Sequence, residues 1–230
     1  MPDIHPPHPE GVRADSTAPI GRNRQFWLLF LCLLVIGAGN SMLLAVAPPL
    51  VRELNLADST VGWIFALSAL LWVFTSPYWG RTSDRAGRKP ILALGLAGYA
   101  VSMGSFGIAV MLGLNGWLSG AGLFVALMLT RAIFGGVGSA SSPAAQAYIA
   151  DRTTIRERTE QLAGLTSSFA LGQAFGPALC AALAAWLGLV FPIGLIAVLA
   201  AAAAYAIWRY LPENTPPKSE RAKGHWRESL

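Results

Sequence analysis

The sequence contains few charged side chains. Of its 230 residues, 13% are Asp, Glu, Lys or Arg, about half of the ~25% that an average soluble domain carries. Hydrophobic residues make up 54%. Too little charged surface is therefore available to cover a water-exposed globule or to keep the chain disordered. These proportions exclude a soluble enzyme and indicate an integral membrane protein.

Cysteine and recognisable catalytic patterns are also scarce. The two cysteines, Cys32 and Cys180, both lie inside apolar runs, so we expect unpaired buried thiols. No Cys/His spacing typical of a metal site is present, and neither His-Glu-x-x-His nor Gly-x-Ser-x-Gly occurs. The sequence therefore implies no enzyme, no cofactor and no metal.

Six apolar segments are long enough to cross a bilayer, for which a helix needs ~20 residues. Their predicted bounds are 26–47, 60–79, 91–112, 120–145, 162–185 and 189–210. The Pro48-Pro49 pair and the charged run 80–90 are expected to end the first and second spans. The predicted fold is therefore all-α: a polytopic bundle of six transmembrane helices.

The basic residues are concentrated in the two tails and in every second connection between the spans. All 17 Lys and Arg residues except Arg52 and Arg131 fall in the N-terminal tail, the second and fourth connections, or the C-terminal end. The positive-inside rule predicts that both termini are cytoplasmic, which explains the basic pI without nucleic acid. The predicted organisation is a disordered tail at 1–24, a transmembrane bundle at 25–211 and a linker or tail at 212–230. A cleaved signal peptide is the weaker interpretation, because the first apolar run exceeds the ~7–15 residues of an h-region.

The connection between the second and third spans carries the most specific motif. Its sequence is Gly80-Arg-Thr-Ser-Asp-Arg-Ala-Gly-Arg-Lys-Pro90. Gly80 is expected to allow close helix approach and Gly87 to support a tight turn. Asp84 can accept from a helix N-terminus or pair with Arg88.

This segment resembles the loop motif Gly-x-Leu-Ala-Asp-Arg-x-Gly-Arg-Lys of the major facilitator superfamily. The matching positions are Gly80, Asp84, Arg85, Gly87, Arg88 and Lys89. Thr82 and Ser83 replace the usual Leu and Ala. The resemblance implies the N-terminal six-helix half of such a transporter, similar to the twelve-span drug–proton antiporter branch. It also implies a gate on the cytoplasmic side, in which Asp84 and Arg88 interact with Asp151 at the end of the fourth span.

Arg131 is the one charged residue in the interior of the predicted spans; Arg209 lies at the very end of the sixth. Placing an arginine in mid-membrane costs at least ~2.5–3.5 kcal/mol, so we expect it to face a cavity or a partner. Gly135, Gly138 and Ser142 follow at intervals that would share its helix face. This pattern resembles the fourth-helix motif of the family, which is associated with proton or substrate handling, although Phe134 replaces a usual Gln. The alternative is an arginine that braces the bundle through backbone carbonyls.

The fifth span contains a stretch of small residues. Gly172 and Gly176 are four residues apart, which favours close helix contact, and Pro177 follows directly. The stretch resembles the fifth-helix motif of the family's antiporters, except that Cys180 and Ala181 replace its final glycine pair. The resemblance favours export over import.

Three polar residues in other positions of the spans are candidates for a substrate or proton pathway: Asn40, Gln146 and Gln173. The aromatic residues Trp63, Trp72 and Phe169 are candidates for apolar contact with a substrate. For each of these six residues, helix–helix hydrogen bonding or anchoring at the lipid interface is at least as good an interpretation.

The resemblance implies a secondary transporter, or half of one, that moves a small organic solute by alternating access. The branch it resembles implies proton-coupled efflux of a drug-like compound (multidrug resistance) across a bacterial inner membrane. An organic-anion carrier that uses Arg131 and a non-transporting half-size partner subunit remain alternatives. The expected partners are the solute, protons, the lipid bilayer and a second six-span half, which belongs to the same gene, another chain or a second copy. A longer parent protein, a truncation and a natural half-transporter all fit the sequence.

Overall fold

In the computed structural model, residues 20–213 are described, and in this part of the chain every regular element is helical. Seven α-helices and one 3-10 turn follow each other: α1 Ile20–Glu53, α2 Ser59–Ala86, α3 Arg88–Leu114, α4 Gly120–Gly136, the turn Gly138–Ala140, α5 Ser141–Ala150, α6 Ile155–Leu187 and α7 Phe191–Tyr210. Most of the predicted tail at 1–24 and of the predicted linker at 212–230 lies outside the described residues. The helix α1 begins inside the predicted tail.

Six segments of the described chain are long and apolar enough to span a membrane, and α4, the 3-10 turn and α5 together form the fourth. The all-α, six-span architecture predicted from the sequence is therefore confirmed. We call these segments the first to sixth spans.

The end of the first span was predicted too early. The helix α1 continues through Pro48 and Pro49 to Glu53, because the apolar face continues past the prolines: Leu50 and Leu54 are both buried. In the turn that follows, Asn55 has a φ of 53°, in the left-handed region, and its N–H donates to the Arg52 carbonyl. Asparagine tolerates this conformation and commonly follows a helix end.

The connection between the second and third spans is also more helical than predicted. The helix α2 runs on to Ala86 and α3 begins at Arg88, so Gly87, with a φ of 102°, makes the turn almost alone. Only glycine adopts this backbone without strain. The expectation for Gly80 was wrong, because nothing lies within 4 Å of where its side chain would be.

The fourth span is interrupted in its middle. Pro143 has no N–H to donate to the carbonyl four residues earlier, and the chain forms the 3-10 turn just before it. Gly135 therefore lies in α4, Gly138 in the turn and Ser142 in α5. The continuous helix face predicted for these residues and Arg131 is broken at the turn.

Small residues bring α1 and α6 into backbone contact. A Cβ atom on Gly172 would lie 2.2 Å from the Leu34 carbonyl oxygen, and one on Gly176 would lie 2.4 Å from that of Ala38. On the α1 side, a Cβ atom on Gly37 would lie 2.2 Å from the Phe169 carbonyl oxygen. Without a hydrophobic force between helices in lipid, such close packing supplies much of their attraction.

Replacing Gly172 with alanine should lower the stability of the bundle, because the new methyl group meets backbone that cannot rotate away. We expect Gly172→Ala to cost about 1–3 kcal/mol, the usual range for overpacking. Thermal unfolding in detergent measures the effect. Gly194→Ala is the matched control, since nothing lies within 4 Å of its Cβ position on α7; equal melting temperatures for the two variants would contradict the packing argument.

Candidate functional site

Arg131 is buried at the middle of the fourth span. Its side chain is 1% exposed and lies in α4, far from either end of the segment Gly120–Ala150. A cation at this depth needs compensating contacts because lipid and apolar side chains solvate it poorly. The contacts of its guanidinium therefore define the site.

One hydrogen bond and two aromatic rings hold the guanidinium. Arg131 Nη2 donates to Asn40 Oδ1 on α1 at 2.9 Å. Its carbon Cζ lies 4.5 Å from the ring centroid of Phe134 and 5.4 Å from that of Phe65. Cation–π contacts of this kind are worth about 2 kcal/mol when water is excluded. Nε and Nη1 have no hydrogen-bond partner among the described residues.

The rings around Arg131 are fixed by further aromatic contacts. The ring of Phe134 lies 5.2 Å from that of Trp72 on α2 and 5.0 Å from that of Tyr99 on α3. The Tyr99 hydroxyl donates to the Ile36 carbonyl of α1 at 3.3 Å. Both ring pairs are tilted, with interplanar angles of 53° and 55°, and aromatic pairs at these distances favour some relative orientations over others. These contacts hold the Phe134 ring, against which the guanidinium packs, in a fixed position.

A cavity of about 400 Å³ lies beside Arg131 and these rings. It is lined by nine side chains, most of them apolar: Asn40, Phe65, Ser68, Ala69, Trp72, Val73, Arg131, Phe134 and Phe169. We call it the Arg131 cavity. Its volume is in the range of small-molecule sites, and its composition, apolar walls with a few polar groups, is typical of them. Val73 is 65% exposed, so the cavity reaches the surface of this chain.

The lining comes from the first, second, fourth and fifth spans. The second span contributes the most, and its lining residues recur at helical spacing from Phe65 to Trp72. Sequence analysis named Trp72 and Phe169 as candidates for apolar contact but missed the rest of this face of α2, although the spacing of large and small residues at 65, 68, 69 and 72 is the signal that could have found it. The third and sixth spans line no part of the cavity.

Hydrogen bonds at the interruption of the fourth span hold α2 beside the cavity. Next to the break, the carbonyls of Gly135 and Gly136 accept hydrogen bonds from α2: from Thr75 Oγ1 at 2.7 Å and from Trp79 Nε1 at 2.6 Å. Gly135 also allows the approach, since a Cβ atom there would lie 2.4 Å from the Ser68 carbonyl oxygen. Backbone groups inside a membrane need hydrogen-bond partners.

Not all predicted pathway residues lie in the cavity. Asn40 and Arg131 line it together. Gln146 lies on α5, where its Nε2 donates to Ser142 Oγ at 3.1 Å, and Gln173 is exposed on α6. Neither of these glutamines lines the Arg131 cavity.

At one end of the bundle, a second group of polar residues surrounds Arg88. Arg88 Nη2 lies 2.5 Å from Asp84 Oδ1, and its Nε donates to Asp151 Oδ2 at 3.0 Å. Nη1 donates to Ser83 Oγ at 2.7 Å. The side chain of Arg88 is only 11% exposed, so solvent screens these contacts less than it screens a surface pair. We call these four residues the Arg88 cluster. Arg85 is exposed outside it.

The end of the sixth span is fastened next to the Arg88 cluster, which sequence analysis did not predict. Glu213 Oε2 accepts from the backbone N–H of Lys89 at 2.9 Å, in the first turn of α3, where a carboxylate is favoured. The Pro212 carbonyl accepts from Arg152 Nη2 at 2.9 Å and from the Tyr148 hydroxyl at 3.1 Å. The segment after α7 thereby connects to α3 and α5.

Several known proteins with similar sequences are drug-resistance proteins. The chain is 31% identical to multidrug resistance protein 2 of Bacillus subtilis over 153 residues, which is 66% of this chain and 35% of that protein. It is 32% identical to the class D tetracycline resistance protein of Salmonella ordonez, covering 68% and 37% of the two chains, and 28% identical to the quinolone resistance protein NorA of Staphylococcus aureus, covering 67% and 38%. The chain thus spans less than two fifths of the length of these relatives.

A solved structure has the same fold. The human organic anion transporter MFSD10 (TETRAN) superposes with a TM-score of 0.67 at 24% identity, over 87% of this chain and 50% of that one. The sequence profile described as Major Facilitator Superfamily matches residues 29–228, almost the whole of the six-span bundle. The chain belongs to the major facilitator superfamily of membrane transport proteins, and it is not an enzyme.

Proposed function

We propose that this chain forms one half of a secondary active transporter that exports a small drug-like solute by alternating access. The observation that carries the proposal is the Arg131 cavity, whose aromatic walls suit an apolar ring system and whose polar end suits a hydrogen-bond acceptor. The names of the relatives, which are resistance proteins against several drugs, favour export. The distribution of basic residues supports an orientation with both termini in the cytoplasm, and the bacterial origin of these relatives supports a bacterial cell membrane.

The proposal includes a second six-span half that covers the cavity. Val73 at its rim is 65% exposed, and the relatives are far longer than the region they share with this chain. In transporters built from two such halves, the substrate site lies at their interface near the middle of the membrane. The partner half comes from the same gene, from another chain or from a second copy.

Proton coupling requires a group that gains and loses a proton within the pathway. None of the nine residues that line the Arg131 cavity is a carboxylate or a histidine, and an arginine keeps its proton in proteins. We therefore propose that the coupling acid belongs to the second half and that Arg131 raises its acidity by attraction.

A substrate with an anionic group is the second candidate. Nε and Nη1 of Arg131 are buried without a partner among the described residues, and a carboxylate or similar group could accept from both. An excess of anionic over neutral analogues among the transported compounds would favour this candidate over the first.

We further propose that the Arg88 cluster is a gate that holds the cytoplasmic side closed. The cluster joins α2, α3 and the end of the fourth span through one guanidinium. Rocking of the two halves would have to break or rearrange these contacts, so their energy would set part of the barrier between the two states.

Loss of the Arg131 charge should abolish export. In cells that lack their own drug pumps and express the carrier containing this chain, we expect several-fold lower accumulation of norfloxacin or tetracycline, and a protonophore should remove the difference. Arg131→Gln should reduce the export rate at least tenfold, because it removes the buried cation. Arg52→Gln, which neutralises an arginine whose side chain is 70% exposed, is the matched control and should keep the wild-type rate. Unchanged accumulation with the wild-type carrier, or normal export by Arg131→Gln, would contradict the proposal.

The gate should show measurable coupling energy between Arg88 and Asp151. A double-mutant cycle with Arg88→Gln and Asp151→Asn, read by equilibrium unfolding in mixed micelles, should give about 1 kcal/mol or more, because the arginine is largely buried. The exposed pair Arg52–Asp58, at a similar N–O distance of 3.2 Å, should give only ~0–0.5 kcal/mol. Equal coupling in the two cycles would show that the Arg88 cluster is an ordinary surface pair.

A further inference from the structure

Three basic residues from three different helices meet at the end of the bundle that carries the Arg88 cluster. Arg24 of α1, Lys89 of α3 and Arg209 of α7 line a cavity of about 370 Å³, which Tyr210 and Leu28 also border. The residues are distant in sequence and are brought together only by the fold. We call this cavity the basic pocket.

The positive charge of the basic pocket is not neutralised by the described residues. None of the three cations forms an ion pair with a carboxylate in residues 24–213. The carboxylate of Glu213 accepts from the backbone N–H of Lys89. The cations instead lie against aromatic rings: Arg24 and Arg209 at 5.2 and 5.6 Å from the Tyr210 centroid, and the Lys89 ammonium at 5.6 Å from that of Trp208. Such rings orient the cations but leave their N–H groups available to an anion.

An apolar groove continues from the basic pocket along the bundle. It has a volume of about 430 Å³ and lies between Pro90, Leu94 and Ala97 of α3 and Ala204, Tyr205 and Trp208 of α7. Because Lys89 borders the pocket and contacts Trp208 of the groove, the two are adjacent. The eight residues of α3 from Pro90 to Ala97 extend the groove by about 10 Å along the helix axis.

The groove is separate from the proposed transport route. It is formed by the third and sixth spans, neither of which lines the Arg131 cavity. Tyr205 and Trp208 at its border are 65% and 62% exposed. Aromatic side chains in this position are typical of the interface between the lipid headgroups and the hydrocarbon.

We propose that the basic pocket and the groove together bind one anionic phospholipid. The phosphate and any further headgroup anion accept hydrogen bonds from Arg24, Lys89 and Arg209, and one acyl chain lies in the groove between α3 and α7. The charge of the pocket selects an anionic headgroup over a zwitterionic one. The apolar groove beside it favours a lipid over a soluble phosphate, since a soluble phosphate gains nothing from the groove.

Native mass spectrometry of the full chain in detergent tests the proposal. The probes are palmitoyl-oleoyl phosphatidylglycerol and the phosphatidylcholine with the same chains. We expect the phosphatidylglycerol to bind at least about tenfold more tightly. The double variant Arg24→Gln, Arg209→Gln should weaken its binding by about tenfold or more, since each basic side chain at a membrane surface contributes to anion attraction. The control pair Arg81→Gln, Arg156→Gln removes the same charge from exposed positions outside the pocket and should not change the affinity.

A groove-filling variant separates a lipid from a free phosphate. Ala97 is exposed and lines the groove, so Ala97→Trp should occupy the acyl-chain position without disturbing the buried core; thermal unfolding checks this. We expect it to weaken phosphatidylglycerol binding several-fold, while glycerol 3-phosphate competes weakly in every variant. Equal binding of the two lipids, equal weakening by the pocket pair and the control pair, or glycerol 3-phosphate that binds as tightly as the lipid and ignores Ala97→Trp would each overturn the proposal.

Discussion

The burial of one cation organises the centre of this bundle. Arg131 lies at mid-membrane depth, where its charge costs at least ~2.5–3.5 kcal/mol unless neighbouring groups compensate it. Asn40 from α1, Phe65 from α2 and Phe134 from α4 do so through one hydrogen bond and two ring faces. Three of the spans that surround the Arg131 cavity are thus tied to the same guanidinium. The two guanidinium donors without a partner among the described residues, Nε and Nη1, determine which chemical groups the cavity can bind.

Two local sequence features, a proline and a pair of glycines, determine how the helices around the cavity pack. The fourth span is interrupted just before Pro143, and next to the interruption the carbonyls of Gly135 and Gly136 accept hydrogen bonds from Thr75 and Trp79, which hold α2 against the cavity. Gly172 and Gly176 bring α6 against α1 on another side. The third and sixth spans line no part of the cavity, and the groove beside the basic pocket lies between them.

Composition and apolar periodicity were sufficient to predict the six spans, because each is a long local signal. The grouping of Asp84, Arg88 and Asp151 also came from the sequence, through the loop motif. Features that depend on distant contacts were not predicted. The helix α1 passes two prolines because its buried face continues to Leu54, and Glu213 caps α3 from a position 124 residues away. Nothing local to Arg24, Lys89 and Arg209 indicates that they share one pocket, since only the packing of α1, α3 and α7 brings them together.

The central claim is that the Arg131 cavity lies on the route of the transported solute. Labelling of Ala69→Cys with a water-soluble maleimide tests it most directly, because Ala69 lines the cavity, while the two native cysteines are buried. The neighbouring Leu70, which is 55% exposed but lines no part of the cavity, provides the control as Leu70→Cys. The account predicts that Ala69→Cys is labelled in the assembled carrier, that an exported drug slows the labelling, and that Leu70→Cys stays unreactive in lipid. Labelling that is equal at both positions, or that no exported drug slows, would contradict it.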